Sequence, residues 1–386
     1  MSNPFHSGSP VTGEAFGDRE TETEFLVSRM LRGQNVFLMS PRRYGKTSLL
    51  LRAVGDARRR GARVGMANLF YASDRREVAE HLTRAVIDGA LGWLVGTAEQ
   101  IGERLRRIPW VTPVLERDGW QVALALSGRD PSFLDAIRRP VELLADSARD
   151  GHPVCLVVDE FQQVAEIDSA LPGVWKAIAD DLPQVSLVLC GSRRHVMTRL
   201  FTGAGAPLQH IAEPLSLEVI PRAEMVDFVR ARSAAAGREM DSDAAILLYE
   251  LMRGIPHFVQ LLAASAFDEG EGPIDDDCVK RGLVALLLRQ RGELALRYEG
   301  LASGQRRLLR ALTREPVREL TGHEFLGRAG LPASSVQRAR SALDESEVIT
   351  CDERVGWCVA DPVLERWLRH AVELDLGEPL SPDSIA

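Results

Sequence analysis

Apolar positions along the chain fall into two kinds of run. Val36-Phe37-Leu38-Met39, Val154-Cys155-Leu156-Val157-Val158 and Val185-Ser186-Leu187-Val188-Leu189-Cys190-Gly191 are nearly unbroken apolar stretches closed by polar residues. That is the form of strands covered on both faces of a parallel sheet. Arg63 to Phe70 reads as a further strand. Between these runs the apolar positions recur at helical spacing. Phe25, Leu26, Met30 and Leu31 share one face of a helix closed by Gly33. A second helix runs from Gly45-Lys46 to about Arg60 and ends at Gly61. A third, about Glu77 to Leu94, follows an Asp74 cap, and a fourth spans Pro131 to Arg149. The alternation of strand and helix predicts an α/β domain with a doubly wound parallel sheet over residues 14–220, preceded by a flexible tail at 1–13. Val111 to Glu116 and Trp120 to Leu126, around Arg117-Asp118-Gly119, predict a hairpin inserted near 108–127.

After Pro221 the period is helical throughout. Helices are expected at Ala223 to Ala235, Ser242 to Met252, Pro256 to Phe267 and Asp276 to Arg289, giving a helical lid over 221–292. The stretch 293–372 then predicts three helices, to about Leu312, near His323 to Ala329, and Ser334 to Glu345. A hairpin follows, of Val348 to Cys351 and Gly356 to Val359. Three helices and a hairpin in that order make a winged helix-turn-helix. Residues 373–386 are expected to be a tail.

Composition narrows the classes. The 386 residues suffice for two or three domains, and 45% hydrophobic with 26% charged residues is ordinary for a soluble globular protein. A net charge of -8 argues against a generally nucleic-acid-coating chain but leaves room for a local basic face. No apolar run reaches membrane-span length and the N-terminus carries no signal pattern, so no membrane partner and a cytoplasmic location are expected. The five cysteines are scattered, without a Cys-x-x-Cys spacing, and no zinc site is visible. Cys351 and Cys358 are placed to face each other across the last hairpin, although a reducing compartment disfavours a disulfide.

The chemistry concentrates in two stretches. Ser40-Pro41-Arg42-Arg43-Tyr44-Gly45-Lys46-Thr47-Ser48 joins a buried strand to a helix. It has the layout of a phosphate-binding P-loop, whose backbone N–H groups and helix N-terminus cradle an anion. Lys46 would reach the β- and γ-phosphates of ATP and Thr47 would ligate Mg²⁺. The first P-loop position, usually glycine, is Ser40. The second stretch, Leu156-Val157-Val158-Asp159-Glu160, ends a buried strand with two carboxylates, the form of a Walker B. Strand alternation points Asp159 and Glu160 to different faces, Asp159 to hold Mg²⁺ and Glu160 to polarise the attacking water. The plainer alternative is an acidic helix cap. Ser192, after the next strand, is placed both to sense a γ-phosphate and to cap a helix.

With these motifs in place, the chain resembles the AAA-type P-loop ATPases described mainly from archaea, with bacterial members, which are related to replication initiators and STAND ATPases. The resemblance rests on Phe16 to Glu22, Ser40 to Leu50, Val157 to Gln162, Gly191 to Met197, Gly254 to Val259 and Asp361 to Leu368. It implies that Phe16, Gly17 and Arg19 line the adenine end of the site and that Gly254 and Pro256 form a lid turn near the phosphates. Phe16 also suits a hydrophobic staple before the first helix. Arg253 fits either a lid sensor of phosphate or a solvated helix-end charge. Family members often carry an arginine where this chain has His210, and without an arginine finger slow turnover is expected.

Three functions follow for test: an ATPase that couples nucleotide state to lid and winged-helix movement, a slow or non-hydrolysing nucleotide-gated switch that docks a protein, and an ATP-regulated DNA-binding protein. The candidate recognition helix supplies Ser335, Gln337 and Arg338, with Arg354 on the wing. Asp344, Glu345, Glu347, Asp352 and Glu353 crowd the same region and oppose a duplex. An oligomer is compatible with each reading.

Overall fold

A computed structural model describes residues 2–5, 19–91, 111–116, 119–124, 133–352 and 355–375. The chain divides into two compact units, one of residues 19–218 and one in which the N-terminal residues join 219 onward.

The 19–218 unit is built on a five-stranded parallel sheet in the order β2-β5-β6-β1-β7. Its strands are β1 (Val36–Met39), β2 (Arg63–Asn68), β5 (Val154–Asp159), β6 (Val185–Gly191) and β7 (Glu213–Ser216). Every residue of β5 and β6 is buried, which is why those stretches show no alternation. Helices α1 (Glu20–Leu31), α2 (Lys46–Arg59), α3 (Arg75–Leu91), α4 (Phe133–Asp146), α5 (Gln163–Ile167), α6 (Leu171–Asp181) and α7 (Arg194–Phe201) cover the sheet. Beneath them Phe37 stacks on Phe201 at 4.4 Å between ring centroids, and Phe161 meets Trp175 edge-on at 5.3 Å. These aromatic contacts pack β1 and the segment just after β5, the strands that carry the two motifs. Strands β3 (Val111–Glu116) and β4 (Gly119–Leu124) pair as a separate antiparallel hairpin.

The β7 strand was not legible as a strand. It has four residues, includes Pro214 and pairs only with β1, with Glu213 opposite Val36. An edge strand tolerates a proline that a central one would not.

The second unit opens with α8 (Arg222–Ala235), α9 (Ser242–Leu251), α10 (Pro256–Phe267) and α11 (Asp276–Glu299). It continues with α12 (Ser303–Arg314), α13 (His323–Ala329), α14 (Ala333–Glu345), the hairpin β8 (Ile349–Asp352) and β9 (Gly356–Val359), and α15 (Pro362–Asp375). Three expectations change here. Residues 2–5 are not a loose tail: Phe5 is 5% exposed against Phe267, and Asn3 Nδ2 donates to the Ala264 carbonyl at 2.9 Å. A buried aromatic and a paired amide hold the segment. The helix expected to end near Arg289 runs on to Glu299, so position 293 lies mid-helix. Gly292 is a weak breaker, costing about 1 kcal/mol in a helix interior, and buried Leu294 continues the apolar face. Finally, Cys351 stands opposite Trp357 and Cys358 opposite Thr350. In a period-2 ladder that sends the two thiols to opposite faces, Cys351 exposed and Cys358 buried.

Within this unit the helical and winged parts are tied by charge. Arg297 of α11 pairs with Asp361 at 3.0 Å, and Arg253 donates to the Val359 carbonyl and approaches Glu365. Arg253 is thus not a solvated helix-end charge.

Candidate nucleotide site

The site lies at the C-terminal ends of β1, β5 and β6, which are neighbours in the sheet. The loop leaving β1 is pinned by the Ser40 N–H, which donates to the Gly191 carbonyl at 3.2 Å. Ser40 is fully buried, and its Oγ donates to the Pro41 carbonyl at 3.0 Å. The loop turns on Arg43 (φ 72°) and Gly45 (φ 85°) before α2 starts at Lys46. Gly45 occupies the left-handed region, where glycine has no Cβ penalty. Arg42 and Arg43 are exposed, Tyr44 and Thr47 are half-buried, and Ser48 is buried on the first turn of the helix. The N-terminal N–H groups of a 14-residue helix therefore face this loop.

Lys46 is buried and lies between the two carboxylates, its Nζ 2.8 Å from Asp159 Oδ1 and 2.7 Å from Glu160 Oε1. The Thr47 hydroxyl donates to Asp159 Oδ2 at 3.2 Å. Asp159 and Glu160 were expected to diverge by strand alternation; instead both converge on Lys46. The reason is local. Asp159 is the last residue of β5, and Glu160 has φ 56°, a left-handed turn that swings its side chain back. The Glu160 N–H donates to Asp159 Oδ1 at 2.9 Å and holds the turn. On the far side, Glu160 Oε2 accepts from Ser192 Oγ at 3.2 Å and from Gln162 Nε2.

Burial disfavours the charge on Lys46, but Asp159 and Glu160 outweigh it and hold the ammonium above its ordinary value. Burial likewise pushes Glu160 up, yet Lys46, Gln162 and Ser192 together bring it below the ordinary carboxylate range. Nearby Cys190 is pushed well up, by burial first and then by Asp159, which leaves it an inert thiol rather than a nucleophile.

Ser192 is 3% exposed and caps nothing; the N-cap of α7 is Arg193, which makes no side-chain cap bond. Arg19 sits in this unit with its guanidinium engaged by Glu22 at 2.6 Å and by the Glu218 and Tyr44 carbonyls at 2.5 and 3.4 Å. It braces the P-loop from behind. Phe16 and Gly17 lie outside the described residues. Pro256 opens α10 in the other unit, and His210 is exposed with φ 65° in the loop before β7. Sequence reasoning missed one participant. Gln162 entered only as the last residue of the Val157 to Gln162 stretch, and its contacts reach across to Ser192 beyond β6, which spacing does not show.

The architecture compares with solved structures along nearly its whole length. The Walker-type ATPase of Pyrococcus abyssi aligns with a TM-score of 0.65 at 17% identity, covering 95% of this chain and 99% of its own. The ORC2 protein of Aeropyrum pernix, solved as ADPNP–ADP complexes, aligns with a TM-score of 0.53 at 13% identity, covering 93% and 94%. The chain has the fold of the AAA-type P-loop ATPases. Residues 296–370 match a family described as a probable winged helix domain, so the AAA-type fold here carries that domain at its C-terminal side. No curated protein matches the chain in sequence. Among the described residues no helix is long and apolar enough to cross a membrane, and no group of three or more His, Cys, Asp or Glu side chains could hold a metal unaided.

Proposed function

We propose that this chain binds ATP with Mg²⁺ and hydrolyses it. The observation that carries the reading is Lys46: a buried ammonium at a helix N-terminus, bridging Asp159 and Glu160 beside the Thr47 hydroxyl. On this reading Ser40, Pro41, Arg42, Arg43, Tyr44, Gly45 and Ser48 shape the loop whose N–H groups take the phosphates. Lys46 moves from the carboxylates to the β- and γ-phosphate oxygens. The donors fit Mg²⁺, a hard cation that takes one or two protein oxygens together with phosphate and water. Thr47 Oγ1 and Asp159 Oδ2 are such oxygens, 3.2 Å apart, and the carboxylates already hold a cation in Lys46. Thr47 and Asp159 would hold the ion, which when bound neutralises phosphate charge.

Glu160 then accepts a proton from water. The water oxygen bonds to the γ-phosphorus while the bond to the β–γ bridging oxygen breaks, and ADP leaves with that electron pair. Ser192, hydrogen-bonded to Glu160, reports the γ-phosphate to α7. Arg19 acts through the Tyr44 carbonyl. Pro256 and Phe16 are carried into the nucleotide site by the family resemblance alone.

Nucleotide binding and single-turnover hydrolysis on one sample, with Lys46→Ala beside wild type, test the reading. Hydrolysis that Lys46→Ala abolishes supports it; no binding to wild type would end it. A second reading, a switch that binds ATP and scarcely cleaves it, is favoured by Lys46 lying on Glu160 and by histidine at position 210. Tight binding with ATP intact after hours would select it. As for partners, α14 presents Ser334, Gln337, Arg338 and Ser341 on one open face that also includes Glu345. One arginine against one glutamate favours a protein surface over a duplex, and the absence of salt-dependent DNA binding would agree.

A further inference from the structure

Glu160 is held from two sides, and the two sides differ. Oε1 takes Lys46, a group that nucleotide binding would draw away toward phosphate. Oε2 takes Gln162 Nε2 and Ser192 Oγ, neutral donors that have no such errand. Gln162 also lies within 3.5 Å of Ser192 Oγ, so the three side chains form a closed triangle. Gln162 is only 2% exposed, and its backbone is the N-cap of α5, immediately past the left-handed turn at Glu160.

The surroundings are shaped to this amide. A Cβ on Gly191 would stand 2.6 Å from Gln162 Oε1 and 2.5 Å from the Met197 sulfur. Glycine at the end of β6 is what lets the Gln162 side chain lie across the strand. The Phe161 N–H donates to the Cys190 carbonyl at 2.7 Å and locks the Asp159–Gln162 segment to the same strand end. The remaining amide oxygen, Gln162 Oε1, is buried without a protein partner. A buried acceptor left unpaired is costly, so within the site the amide acts through its nitrogen alone.

We propose that Gln162 is a positioning residue for the water-activating carboxylate: it holds Glu160 by Oε2 and ties it to Ser192, so that Lys46 can leave Oε1 for phosphate without the carboxylate following. This inference rests on the ATPase reading and deepens it. Without Gln162, Glu160 keeps only Ser192 as a neutral anchor. The carboxylate then tracks the ammonium toward the phosphates and leaves the line of attack. Nucleotide binding is untouched, because the Gln162 side chain hydrogen-bonds to Glu160 and Ser192 and not to the P-loop or Thr47.

The test uses the full chain with Gln162→Met, which keeps length and volume but removes the amide, and Gln162→Asn, which keeps the amide on a shorter arm. Nucleotide affinity should stay within about twofold of wild type while the single-turnover rate falls about 10- to 100-fold in Gln162→Met, with Gln162→Asn between. Added to Glu160→Gln, the Gln162→Met change should cause no further loss, since it acts through that carboxylate. A merely structural role would lower affinity and rate together and would add to Glu160→Gln. A hydrolysing wild type matched by Gln162→Met, or losses that add, would overturn this inference and leave the ATPase reading standing. A wild type that does not hydrolyse would overturn both.

Discussion

Lys46, Asp159 and Glu160 form a small charge cluster of one cation and two anions, with side-chain exposures of 7%, 1% and 15%. Removing one member of a buried ion pair costs about 3–5 kcal/mol, because the partner stays desolvated. Lys46→Met should therefore destabilise the nucleotide-free protein by about that amount. Adding Glu160→Gln should recover part of the loss, which urea unfolding of the four forms would measure. The pH dependence has a defined sign. Glu160 titrates below its ordinary 4.5, so its contribution is complete above that value and fades as pH falls through the lower folded value. Lys46 titrates above its ordinary 10.5, so its contribution is complete below that value and fades as pH rises through the raised one. Glu160→Gln should thus flatten the acid-side fall in stability, and an unchanged slope would show that the carboxylate is not held as described. Lys46, Thr47, Asp159, Glu160 and Ser192 were legible in the sequence as site candidates because each sits in a short local motif. That Asp159 and Glu160 would both face Lys46 was not, because it depends on a left-handed turn at Glu160 that no pattern of apolar residues encodes.

At the scale of elements, one side chain, Asn35, joins the N-terminal end of the P-loop strand to both of its neighbours. Asn35 Nδ2 donates to the Ile211 carbonyl at 3.0 Å, and its Oδ1 accepts the Leu187 N–H at 2.8 Å. Its own carbonyl accepts from the Glu213 N–H at 2.9 Å. One residue before β1 thus joins β6 on one side to β7 on the other. Asn35→Ala removes both side-chain bonds and leaves partly buried backbone groups unpaired, for a loss of about 2 kcal/mol. The denaturant midpoint should fall with the m-value unchanged, since the surface exposed on unfolding stays the same. A changed m-value would mean that β7 had come away in the folded state. The four strands rich in apolar residues could be read directly, as could the helices around them. The β7 edge could not: Glu213, Pro214 and Ser216 give it no apolar run, and only the sheet beside it makes it a strand. The long α11 failed for the opposite reason. The helix was expected to end at Arg289, but it runs through Gly292, where packing at Leu294 outweighs the propensity cost.

For the whole molecule, the division into residues 19–218 and the remainder has a thermodynamic consequence. Each unit has its own buried core, so heating should give two transitions rather than one. The helical and winged parts of the second unit should melt together. The Arg297–Asp361 pair, the Arg253 bond to the Val359 carbonyl and the uninterrupted 24-residue α11 leave no hinge between them. Lys46, Thr47, Asp159, Glu160 and Ser192 all belong to the first unit. A ligand that binds only the folded state stabilises it by RT ln(1 + [L]/Kd), about 2.7 kcal/mol at a hundredfold excess over Kd. A non-hydrolysable ATP analogue with Mg²⁺ should therefore move the transition of the first unit upward by several degrees. The same addition to Lys46→Ala should move neither transition. If the analogue also raises the second transition, nucleotide contacts extend to residues beyond Glu218, and Arg253 and Pro256 become the first positions to substitute. If it raises only the first, nucleotide binding leaves the helical and winged unit unchanged, and Arg253 serves to join the helical and winged parts.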